Sequence, residues 1–123
     1  MVSNKPEQRL KRNEVLSAFI IMHLNRLGWN CARLASESRL SKTTITRMVT
    51  GIDHLGRPYC ASLNQILALI LAFKLNDDEI KELFLAAAPQ ISICLEARDN
   101  KLSVDKVDDR LYNEGLPILS KTK

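Results

Sequence analysis

The 123-residue chain lacks any run of about 18 or more apolar residues, so nothing in it reads as a membrane-spanning helix. Its start, MVSNKPEQRLKRNE, lacks the apolar core of a secretory signal. Its three cysteines, Cys31, Cys60 and Cys94, lie far apart with no C-x-x-C pair, and only His23 and His54 are available as further soft ligands. Structural zinc needs closer ligand pairs than this, so reduced thiols and no metal are expected. Paired carboxylates, a glycine-rich phosphate loop and a nucleophile elbow are also missing, and Cys31 has no histidine at a spacing that makes it a nucleophile. Internal repeats and low-complexity tracts are absent. These absences point to a cytoplasmic protein that is not an enzyme and needs no cofactor.

What is present is an ordinary globular composition, 46 % hydrophobic and 26 % charged, enough for one domain with a modest core. The net charge of +4 is unevenly spread. Residues 1–61 hold ten Lys/Arg against four Asp/Glu, a net +6, and residues 62–123 hold eight against ten, a net −2. A clustered basic half is the electrostatic footprint of a phosphate-binding surface.

Inside that half lies NCARLASESRLSKTTITRMVTG, Asn30 to Gly51. Its apolar positions, Leu34, Ala35, Leu40, Ile45 and Met48, fit two short helices meeting at Arg39–Ser41 rather than one long one. Asn30 is placed to cap the first helix, with Trp29 and Leu34 as a hydrophobic staple. Ser41 repeats the device for the second, with Leu40 and Ile45, and Gly51 supplies a left-handed stop. Between the buried positions of the second helix stand Lys42, Thr43, Thr44, Thr46 and Arg47, which can all hydrogen-bond outward.

This stretch resembles the helix-turn-helix of the lambda-repressor/Cro-like (XRE-type) family. Leu34-Ala35, Leu40-Ser41, Thr44-Ile45-Thr46-Arg47 and Gly51 carry the likeness, which extends more weakly over about Glu14 to Ala88. The chain departs from the family pattern in three places. Arg39 stands where a glycine is usual, at a left-handed cost of about 1–2 kcal/mol that favours a differently bent turn. Cys31 stands where a glutamine often faces a phosphate, and the segment after Gly51 is long. The resemblance implies an all-α, five-helix DNA-binding domain over residues 14–88. A loose basic arm, 1–13, precedes it, and an extension, 89–123, follows for packing, dimerisation or partner binding.

The flanking segments read as follows. Leu16, Phe19, Ile20, Leu24 and Leu27 stripe a helix from Glu14 to Leu27, with His23 beside the stripe as a partly buried packing residue. Ser62 with Gln65, and Asn76 with Glu79, are capping boxes opening a fourth and a fifth helix. The fourth is apolar nearly all round and should be covered on most sides. Pro89 is expected to stop the fifth, ISICL at Ile91–Leu95 to be a strand or extended, and Ser103–Asn113 to be a short helix. The apolar LPIL at Leu116–Leu119 should pack on the fourth helix or make a subunit contact.

By the resemblance, the second helix of the pair enters the major groove of double-stranded DNA. Lys42 and Thr43 would reach base edges, Arg47 a guanine or a phosphate, and Thr44 and Thr46 a thymine methyl or a phosphate. Asn30, Cys31, Arg33, Ser41, His54, Arg57, Lys11 and Arg12 are the candidates for phosphate. The implied function is a sequence-specific transcriptional regulator, a homodimeric repressor reading a near-palindromic operator, of the kind prophages and mobile elements carry. Two other readings are an antitoxin that binds its toxin through residues 90–123, and a protein-interaction module without DNA specificity.

Overall fold

Asn13 anchors the fold. Its side-chain oxygen accepts the Leu16 N–H at 3.1 Å and so caps α1 (Glu14–Leu27), which Gly28 ends in the left-handed region at φ 67°. Its amide nitrogen donates to the carbonyls of Tyr59 (2.8 Å) and Ala86 (2.7 Å), and its backbone N–H to the Gly51 carbonyl (2.7 Å). One buried residue thereby ties the start of the first helix to three later parts of the chain. The computed structural model describes residues 12–120; the expected basic arm lies almost wholly outside them, and Asn13, its last residue, is buried.

Among the described residues every regular element is an α-helix. After α1 come α2 (Cys31–Ser38), α3 (Lys42–Thr50), α4 (Leu63–Phe73), α5 (Asp77–Ala87), α6 (Pro89–Asp99) and α7 (Val104–Asn113). None is long and apolar enough to cross a membrane. Helix α1 packs on α3 and α5, α2 on α3 and α4, α4 on α5, and α6 on α5 and α7. The main core joins Leu16 and Ile20 of α1, Leu34 of α2, Ile45 and Met48 of α3, Leu69 of α4 and Leu83 of α5, all without accessible surface. A second, smaller core holds Ile93, Ala97, Val107, Leu111 and Leu116.

The caps follow the sequence closely. Asn30 accepts the Arg33 N–H, Ser41 the Thr44 N–H, and both capping boxes close, Ser62 with Gln65 and Asn76 with Glu79. Helix α5 ends at Ala87, before Pro89 as expected, and Pro89 itself opens α6, where its missing N–H has no helical partner to lose. Other expectations are not met. The β-branched run at Ile91–Leu95 is helical, because Ile93 and Ala97, one turn apart, gain a core against α7 that outweighs strand propensity. Leu116 packs into that second core rather than on α4, and α4 is not covered on most sides, since Leu63, Leu67 and Leu71 are exposed.

His23 is deeper than its place beside the stripe suggested. It has no accessible surface and lies between the rings of Phe19 (4.4 Å) and Phe73 (5.2 Å). Its Nδ1 accepts from Arg26 at 2.9 Å, and Nε2 has no partner among the described residues. Burial, then the Arg26 charge, hold its pKa below 6.5 against the opposing pull of Glu79 and Glu82. Because the folded state resists protonation, the unfolded state binds more protons below pH about 6.5. Stability from neutral His23 is therefore complete above that pH and is lost as the pH falls through the lowered folded value. Urea unfolding midpoints should decline from pH 7 to pH 5, and His23→Leu should flatten that decline; an equal decline in both proteins would contradict this placement.

Candidate nucleic-acid interface

Helices α2 and α3 are joined by three residues, and the turn keeps the left-handed conformation despite its arginine: Arg39 has φ 62° and ψ 18°. The different bend expected from the missing glycine does not occur. Ser38 supports the turn, its hydroxyl donating to the Leu34 carbonyl (2.7 Å) and accepting from the Leu40 N–H (3.2 Å). Arg39→Gly should relieve about 1–2 kcal/mol of αL cost while giving the unfolded chain about 0.5–1 kcal/mol of added freedom. The net expectation is a melting point a few degrees higher; a lower one would mean that the Arg39 side chain stabilises the turn.

Helix α3 divides cleanly into two faces. Ile45 and Met48 are fully buried, whereas Lys42, Thr43 and Thr46 are exposed and Arg47 is half-buried. Thr44 is half-buried too, and its Oγ1 accepts from the Ser41 hydroxyl at 2.9 Å, so it serves the turn before any ligand. Arg39, Lys42 and Arg47 form no ion pair with any described residue. Neither α2 nor α3 has an acidic residue in its first turn, in contrast to α5 with Asp77, Asp78 and Glu79. The positive ends of α2 and α3 thus carry neutral caps, Asn30 and Ser41, and no acidic side chain in the first turn.

The other phosphate candidates are less available. Arg33 is held by Glu37 (2.9 Å) and lies 4.9 Å over the Trp29 ring. Arg12 donates to the Thr50 carbonyl at 2.7 Å, beside the end of α3. Asn30 and Ser41 are occupied as caps, although both remain exposed. Lys11 lies outside the described residues.

After α3 the chain makes a tight loop pinned by Asp53. The Asp53 carboxylate accepts the N–H groups of Leu55 (2.8 Å) and Arg57 (2.9 Å) and pairs with the Arg57 guanidinium (3.3 Å). Burial raises its pKa, but those two N–H groups and the guanidinium together outweigh this and hold it below the usual carboxylate range. Arg57 is therefore partly neutralised, while His54 is exposed at the loop surface. Tyr59, which follows, is buried and donates to Gln65 Oε1 at 2.8 Å, linking the loop to the α4 cap.

The two cysteines near this face differ in exposure. Cys31 is exposed at the first position of α2, whereas burial, and then the Asp53 carboxylate, push the Cys60 thiol up to about 11 against the Arg57 charge. A thiol reagent at pH 8 should modify exposed Cys31 faster than partly buried Cys60, read by mass spectrometry. Equal rates would mean that the partial burial of Cys60 does not shield its thiol. No protein-family model, curated protein or solved structure matches the chain.

Proposed function

We propose that residues 14–88 form a lambda-repressor/Cro-like DNA-binding unit and that the protein is a sequence-specific transcriptional regulator acting as a dimeric repressor. The observation carrying this reading is the two-faced α3, with Ile45 and Met48 in the core, Lys42, Thr43 and Thr46 exposed and Arg47 half-buried, beside a helix N-terminus that carries no acidic side chain. Shallow insertion of α3 into the major groove presents Lys42 and Thr43 to base edges, with Arg47 one turn behind. The N-termini of α2 and α3 then meet phosphates, which need no side-chain charge there. Repression follows from occupancy of a promoter.

Fluorescence anisotropy with a random-sequence duplex tests the electrostatic part. Affinity should fall at least about 10-fold between 50 and 200 mM salt, as neutralised phosphates regain their counterions. The duplex should also protect Cys31 from alkylation. Absence of binding at 50 mM salt would move the assignment to a protein-interaction module. Capture of a protein partner by residues 90–123, without DNA binding, would do the same.

A further inference from the structure

Helix α4 carries no charged residue along its whole length, LNQILALILAF, and places Leu63, Leu67 and Leu71 on one row at i, i+4 and i+8. These leucines retain 60, 45 and 77 % of their surfaces, while Ile66, Leu69 and Phe73 on the opposite side fill the core. A helix that is half core and half exposed leucine has an apolar face that no described residue covers.

From this we propose that the outer face of α4 is the dimer contact, pairing antiparallel with α4 of a second copy. The proposal deepens the dimeric reading above and rests on it. Three features select a second copy as the occupant. A row of i±4 leucines is a ridge that fits the matching groove of an identical helix. A two-fold axis through Leu67 sets each Leu63 opposite the other copy's Leu71, so one patch serves both copies. Within α4 this face carries no charge to repel its own copy, whereas the apolar groove between α1 and α5 is lined by Glu14 and Glu82.

The size is appropriate as well. Three leucines exposed to this degree present roughly 300 Å² of apolar surface, a fit core for the about 800 Å² per partner that stable pairs bury. The contact uses none of the exposed residues of α3, which packs on α1 and α2 while α4 packs on α2 and α5.

Sedimentation velocity at micromolar concentration tests this with the full chain. The wild type should be a dimer, and Leu67→Lys and Leu67→Glu should each self-associate about 30-fold or more weakly, since every substitution enters the pair twice. Mixing the two variants should restore dimers, because lysine then faces glutamate across the axis. Helical circular dichroism and melting points near wild type would show that the exposed position leaves the fold intact. Leu85→Lys, in the α1–α5 groove, should leave the dimer unchanged. A monomeric wild type, dimers that survive both Leu67 substitutions, no recovery on mixing, or dissociation by Leu85→Lys would each overturn the proposal. A dimer of this kind that binds no DNA would instead contradict the proposed function and leave the interface standing.

Discussion

Gly51→Ala should destabilise the protein by about 3 kcal/mol or more, because it combines two separate costs. Gly51 has φ 78°, where an L-residue is disfavoured by about 1–2 kcal/mol. A Cβ there would also lie 2.7 Å from the Asn13 carbonyl oxygen and 2.9 Å from its nitrogen. Both are backbone atoms at the capped start of α1, so no side chain can swing aside. Making room costs a further 1–3 kcal/mol or so, and it stretches the bonds that the Gly51 carbonyl accepts from Asn13 (2.7 Å) and Tyr59 (2.9 Å). Gly28→Ala separates the two costs: φ is 67°, but nothing lies within 4 Å of the added carbon. It should lose only about 1–2 kcal/mol. Urea unfolding of both variants measures the difference, and equal losses would show that the approach of Asn13 to Gly51 carries no energetic weight.

Arg47→Ala should weaken binding to the preferred site by about 1–3 kcal/mol, a factor of roughly 5 to 150. Arg47 is half-buried and makes no ion pair with any described residue. Thr43→Ala, at the leading end of α3, should lose a comparable amount on the preferred site. Both variants should retain more of their affinity for random duplex, since a base contact contributes only to discrimination. Arg33→Ala and Arg57→Ala provide the contrast, because Glu37 and Asp53 already hold those guanidinium groups. Competition titrations of preferred against random duplex read the ratio directly. Unchanged discrimination in Arg47→Ala and Thr43→Ala would remove α3 as the reading element.

Much of this architecture was legible because the signals are local. A cap, its third N–H and its staple all lie within six residues, so Asn30, Ser41, Ser62, Asn76 and Ser103 each mark a helix start. The faces of α3 follow from its spacing alone. Asn13 was grouped with the arm although it directly precedes the apolar stripe, itself a cap signature. Its other bonds, to Tyr59 and Ala86, span 46 and 73 residues, and no local pattern encodes them. Helix α6 was missed for a similar reason: its stability comes from Ile93 and Ala97 meeting Val107 and Leu111, while its own residues favour extended structure. The burial of His23 depends on Phe73, fifty residues later, closing over the ring. Exposure of the outer face of α4 was hidden as well, since an all-round apolar helix has the same sequence whether its cover is its own chain or another.

The most direct measurement is selection of binding sites from a random duplex library, repeated at about 50 and 200 mM salt to separate backbone attraction from base reading. An enriched inverted repeat with half-sites about one helical turn apart, near 34 Å, should survive the higher salt. No enriched sequence, or enrichment that disappears at 200 mM, would contradict it.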